Sequence, residues 1–318
     1  HLAVSRSLWQ PITTLPALLA LAGLLGWGWL WRKRRPLFAL GILLFFAGHA
    51  ITSNVVNLEL AFEHRNQLPM LGVLLAAADL CRLAWQHFRL KPVLAVLPAG
   101  AILLLTGGLC AWRAHLWGDP IQFAQASVAA SPLSPRAWMT LSGLYFERSQ
   151  SQPDSPWLSA AINVNQRGAA LTGSAPMLSN VVIFKTIRGD VTPADWSRFL
   201  SRLKQVPMSA QNKGIAMITL DNLDHGIALD ERGVIQTLEI INQRATFAPN
   251  EYLRIAAYLH NESHQPGKAL PYLKRAVTLS PANDPAINQL LQQLEEAGRA
   301  DWVAQLNAIK RTSATAIP

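Results

Sequence analysis

Cysteine is nearly absent from this chain: only Cys81 and Cys110 occur in 318 residues. Both fall inside long apolar windows, so no disulfide framework is available to the rest of the protein. Acidic residues are also few, 19 against 28 Lys and Arg, which gives a net charge of +9. No G-x-S-x-G, no P-loop and no paired C-x-x-C occurs, so the sequence offers no nucleophile elbow, triphosphate cradle or zinc ribbon. His225, His260 and His264 lack partners at ligand spacing, and neither a metal nor a cofactor is expected.

Charge of either sign is missing from three stretches, residues 11–31, 36–58 and 92–112. Each can cross roughly 30 Å of hydrocarbon, which takes a helix of about 20 residues. A fourth apolar stretch, 68–88, holds Asp79 and Arg82, whose i, i+3 spacing lets them pair on one helix face. Four spans are therefore expected, at about 11–31, 37–56, 68–88 and 92–112. Short loops rich in Lys and Arg stay in the cytoplasm. "RKRR" at 32–35, with Arg82, Arg89 and Lys91, puts seven positives on one side, against Arg6, Arg65 and Arg113 on the other. The loop at 57–72 and everything after 112 then face outward, and the bacterial inner membrane with an exported, periplasmic 113–318 is the expected location. Topology accounts for the basic balance, and no nucleic acid is invoked. The chain opens on His1 with no basic n-region or cleavage site, which reads as the later portion of a longer polypeptide.

Residues 113–318 have a different composition, with 19 basic and 16 acidic residues and Pro, Ser or Asp about every 15 positions. In 250–281, Leu253, Ala256, Ala257, Ala269, Leu273, Ala276 and Pro281 stand at the spacings of a tetratricopeptide repeat. A second match places Pro132, Ala137, Trp138, Leu141, Ser142 and Tyr145 at a repeat boundary and first helix. Small residues at such positions let two antiparallel helices approach closely, so bulky replacements at Ala257 or Ala276 are expected to overpack. About five helical hairpins follow, with turns at Gly189-Asp190, Pro207 and Gly226. The fold class is all-α: about four transmembrane helices, then a tetratricopeptide-repeat-like solenoid. Trp138, Trp196 and Trp302 read as core, and Asp221, Asp224 and His225 as a solvated helix end.

The densest polar chemistry lies between the second and third spans, in "NLELAFEHRNQLPMLG". Glu59 and Glu63 are i, i+4, Asn66 continues their face, and His64 and Arg65 point to neighbouring directions. His49 lies one or two turns before the outer end of the preceding span. Polar groups at a membrane boundary are costly unless they anchor or bind. A guanidinium and an imidazole can grip phosphate, while carboxylates can orient sugar hydroxyls. The stretch E-H-R-N-x-L-P-x-x-G at 63–72 follows a histidine-bearing span and precedes a pair of spans leading into repeats. It resembles the transmembrane and tetratricopeptide-repeat O-mannosyltransferase-like proteins and their bacterial relatives, of the C-type glycosyltransferase superfamily.

That resemblance implies a donor carried on a lipid phosphate, such as a polyprenyl-phosphate-linked sugar. His64 and Arg65 would hold the phosphate, Glu59 and Glu63 would organise the loop, and His49 and Asn66 would complete the substrate-binding set. Gln67 replaces the family's usual aromatic and Met70 a common serine. The family's acidic catalytic loop has no match here, so no catalytic residue is assigned and the chain by itself is expected to be inactive. Membrane lipid and a protein or peptide held by the repeats are the expected partners. The alternative is a membrane-anchored repeat scaffold for envelope protein assembly, with the polar loop as an interfacial anchor.

Overall fold

The computed structural model describes residues 7–54, 66–89, 91, 93–281 and 283–315, and among these it is all-helical, with no β-strand. It divides into two compact units, His1–His115 and Leu116–Pro318.

The first unit contains α1 (Thr14–Trp31), α2 (Pro36–Asn54), α3 (Gln67–Phe88) and most of α4 (Val93–Trp117). Among the described residues, three helices are long and apolar enough to cross a membrane: α1, α3 and the Val96–Trp117 part of α4. This is one fewer than the four expected from sequence. Among the described residues α2 supplies a shorter apolar helix, Pro36–Ala50, roughly 22 Å at 1.5 Å per residue. Trp27, Trp31 and Phe38 pack their rings where α1 meets α2. On α4 the leucines at 103–105 are all exposed, as is Ile102, the pattern of a helix whose surroundings are hydrocarbon.

Antiparallel packing of α2 on α3 is fixed by three points along their length. A Cβ on Gly41 would lie 2.5 Å from the Gly72 carbonyl oxygen and 2.7 Å from the Ala76 nitrogen. One on Gly48 would lie 2.8 Å from the Pro69 ring. At the opposite end Arg35, just before α2, places Nη1 3.5 Å from both carboxylate oxygens of Asp79. Close approach through glycine is the usual way that helices associate where solvent gives no hydrophobic drive. The expected Asp79–Arg82 pair is thereby corrected. The Asp79 carboxylate is buried against α2, and the arginine that reaches it comes from the neighbouring turn.

The second unit runs α5 (Pro120–Ala130), α6 (Pro135–Ser149), α7 (Pro156–Thr172), α8 (Ala175–Arg188), α9 (Pro193–Gln205), α10 (Ala210–Asp224), α11 (Glu231–Asn242) and α12 (Pro249–Ala257). A π-helical turn at Tyr258–Glu262 follows, then α13 (Pro266–Leu279), α14 (Pro285–Glu296) and α15 (Ala300–Thr315). Proline opens most of these helices, where the missing N–H costs nothing. Thr192 and Asp195 form a capping box at α9, and Asp230 accepts from the Gly233 N–H at α11. Gly189 and Gly226 adopt φ of 89° and 81°, the left-handed turns that let α8 and α10 stop.

Consecutive helices pack pairwise around a continuous core that includes Leu158, Phe199, Leu203, Ile215, Leu238, Ile255 and Ile287. Trp138, Leu141, Ser142 and Tyr145 are all buried, as are Ala256, Ala269, Leu273 and Ala276. Ala257 is exposed, contrary to the overpacking expectation. Spacing locates a small residue at this turn, but α12 ends here and widens into the π turn, so Ala256 is the one that faces the core. Two arginines tie successive hairpins together. The Arg202 Nε, late in α9, donates to the Gly173 carbonyl that ends α7. Arg244, just past α11, donates to the Leu203 and Val206 carbonyls that end α9.

Candidate functional site

Of the six residues expected to bind substrate, His49 and Asn66 fall among the described residues, while Glu59, Glu63, His64 and Arg65 lie outside them. His49 is on the last two turns of α2, its ring 4.9 Å from that of Phe45 and steeply tilted to it. Asn66 occupies the N-cap position of α3, three residues before the Pro69 that meets Gly48. The antiparallel register thus brings His49 and Asn66 to one end of the α2–α3 hairpin, and residues 55–65 are the connection between the helix ends there. Arg35 and Asp79 mark the other end.

On the second unit, the polar groups outside the core are mostly consumed by one another. Arg254 bridges Asp221 at 2.6 Å and Asp224 at 2.5 Å, and His225 Nδ1 lies 2.6 Å from the Asp221 carbonyl oxygen. Burial favours losing the Arg254 proton, but the two carboxylates outweigh it and hold the guanidinium above its usual pKa. The arrangement is an ion-paired helix end that links α10 to α12. Trp196 and Trp302 are buried, and Trp302 is covered by the Arg299 guanidinium 4.0 Å from its ring centroid. Among the described residues, no three His, Cys, Asp or Glu side chains gather as metal ligands would.

Among the described residues, a concave surface lies on each side of α9. The larger, about 1390 Å³, lies between α9 and α11 and is floored by Trp196 and Gly233. Its rim carries both charges: Lys204 and Arg232 against Asp230, Glu231 and Glu239. Glu231 and Glu239 are already engaged, by Ser263 and Gln265 and by Lys268. The smaller cleft, about 700 Å³, lies between α7 and α9 and is lined by Gln166, Arg198, Ser201, Arg202 and Gln205 over small residues and Leu178. Ser201 belongs to both.

Sequence reasoning missed this cleft, although a signal existed. Residues 156–205 contain six Lys and Arg but only two carboxylates, Asp190 and Asp195. Asp190 is taken by Arg188 at 2.6 Å and Asp195 by Lys185 at 2.8 Å. Burial pushes the Asp195 carboxyl up, yet hydrogen bonds from Lys185 and Thr192 overcome that and hold it below the usual carboxylate range. Neither carboxylate is left for Arg198 or Arg202. In comparisons with known proteins, no family model, no curated protein and no solved structure matches this chain.

Proposed function

We propose that this chain is a portion of an integral-membrane glycosyltransferase-like protein that uses a lipid-phosphate-linked sugar, with its second unit a tetratricopeptide-repeat-like solenoid that holds an acceptor or partner protein. The observation that carries this reading is the register of the α2–α3 hairpin, which sets His49 and Asn66 at one end with Glu59, Glu63, His64 and Arg65 on the connection between them. Such a set suits a phosphosugar head lying at a membrane surface: cations for the phosphate, carboxylates for hydroxyls. Although its apolar run is short, α2 extends for 19 residues alongside α3, roughly 28 Å. That length supports its counting as a crossing. With four crossings and the basic turns inside, the cluster and the second unit share the periplasmic side of a bacterial inner membrane.

The test is retention of a polyprenyl-phosphate-linked sugar by the full chain in lipid nanodiscs. Arg65→Lys is expected to lose most of the binding, because a lysine cannot reproduce a planar two-pronged contact. Glu63→Gln keeps size and hydrogen bonding while removing a charge, and is expected to weaken retention as well. Wild-type retention by both variants would reduce the cluster to an interfacial anchor, where either cation can snorkel to headgroups. The two grooves beside α9 favour a second reading, a membrane-anchored scaffold that binds envelope proteins. Unchanged partner capture by variants that have lost sugar retention would select it.

A further inference from the structure

We infer that the cleft between α7 and α9 is a docking site for an acidic peptide segment of a partner protein, its carboxylates received by Arg198 and Arg202. The inference rests on the second unit being a binding surface, and it is independent of whether the membrane hairpin holds a phosphosugar.

Three observations carry it. The first is composition at the surface: the cleft lining holds two guanidiniums, two side-chain amides and a hydroxyl, with no carboxylate. Helices α7 and α8 contain no Asp or Glu at all, and the single one on α9, Asp195, faces Lys185 and Thr192. A positive cleft with no internal counter-charge calls for one from outside.

The second is the geometry of the two arginines. They are i, i+4 on α9, so they stand one turn apart on the same face. Arg202 is held in place by its Nε bond to the Gly173 carbonyl at 2.6 Å, a contact that fixes the guanidinium plane while leaving its remaining N–H groups to other acceptors. Arg198 is exposed, and among the described residues no acceptor is assigned to it. One anchored fork beside a freer one is suited to planar carboxylates presented in succession along a chain.

Extent is the third. A single small anion would occupy little of about 700 Å³. Through Ser201 the cleft meets the larger groove, whose rim sets Lys204 and Arg232 beside Asp230, Glu231 and Glu239. Gln166 and Gln205, flanking the arginines, can donate to and accept from a peptide backbone. A segment laid across α9 can therefore place acidic side chains in the cleft and continue toward α11.

The experiment uses the full chain in detergent micelles and a fluorescein-labelled hexaglutamate peptide read by anisotropy. Hexaglutamine and hexalysine serve as neutral and reversed probes, and inorganic phosphate and phosphatidylglycerol vesicles as competitors. Hexaglutamate alone is expected to bind. Arg198→Gln is expected to weaken it at least tenfold, and Arg136→Gln, which removes one exposed positive charge on α6 outside the cleft, to change it less than twofold. Arg202→Gln also unties α7, so its fold is checked by circular dichroism before its binding is read. Equal losses from Arg198→Gln and Arg136→Gln would show generalised charge attraction and overturn the site. So would binding of hexaglutamine as tight as that of hexaglutamate. Displacement by phosphate at micromolar concentration, or by vesicles but not by unlabelled hexaglutamate, would assign the cleft to another ligand and equally overturn the proposal.

Discussion

Removing Arg35 should loosen the membrane hairpin more than any other single charge change in the first unit. Its guanidinium nitrogen sits 3.5 Å from each oxygen of a carboxylate whose side chain is only 7% exposed. At that separation the attraction is about 5 kcal/mol if the effective dielectric constant is about 20. Part of this is offset by the cost of withdrawing both charges from water. The loss on cutting one partner away is therefore about 3 kcal/mol, the low end for a buried ion pair, since an uncompensated Asp79 remains against α2. Arg35→Met and Asp79→Leu singly should each cost about that amount. The double variant Arg35→Met with Asp79→Leu should recover most of the loss, because no buried charge is stranded. Arg82→Gln, three residues along α3, should change stability by no more than about 0.5 kcal/mol. Urea unfolding in mixed micelles, followed by the fluorescence of Trp27 and Trp31 at the α1–α2 contact, supplies the four free energies of the cycle. A loss at Arg82 equal to that at Arg35, or strictly additive losses in the double variant, would refute the assignment of Arg35 as partner.

A reporter enzyme fused after Arg311 should be active only when exported, and cytoplasmic activity would reverse the orientation on which the lipid-phosphate reading depends. Gly72→Ala should separate α2 from α3, since its Cβ would stand 2.8 Å from the Phe45 nitrogen and closer still to the Gly41 carbonyl oxygen. A cost of about 1–3 kcal/mol is expected, whereas Gly100→Ala on α4, with nothing within 4 Å, should be tolerated. Ala276→Leu should destabilise the second unit by a similar amount and Ala257→Leu should not, as thermal melts followed by circular dichroism would record. Asp195 has a folded pKa held below that of the unfolded chain, so its stabilising contribution is complete above about pH 4. It is lost as pH falls through the lower folded value. Acid titrations of wild type and Asp195→Asn should therefore diverge in stability above that pH and converge below it.

Helices long enough to cross a membrane are legible because about twenty uncharged residues leave few alternatives, and α1 and α4 follow the apolar windows closely. At α2 the apolar stretch among the described residues, Pro36–Ala50, falls short of that length, although the helix itself continues to Asn54. Tetratricopeptide-like spacing found Trp138, Leu141 and Tyr145, whose sizes are informative. It misjudged Ala257 against Ala256, since two adjacent alanines give a period no means of choosing between faces. Pairing is the least legible property. Asp79 and Arg82 satisfy the local rule, but Arg35 is 44 residues away in sequence and arrives only when α2 folds back. The α7–α9 cleft was hidden for the same reason, because its arginines and the glutamine opposite belong to helices that sequence proximity does not join. Of the six residues of the polar cluster, His49 and Asn66 fall among the described residues, and the hairpin register adds the common end at which these two stand.

The two arginine ties between hairpins have a direction. Arg202 secures a helix that precedes it, and Arg244 secures the helix that carries Arg202. Each bond is thus supplied by the newcomer to the element already in place. For a polypeptide emerging from its amino-terminal side, the ends of α7 and α9 wait with open carbonyls until Arg202 and Arg244 arrive, and are then locked from behind. A stop codon inserted after α9 should leave that helix's end frayed while α7 stays tied, and a break ahead of α7 should leave both ties intact.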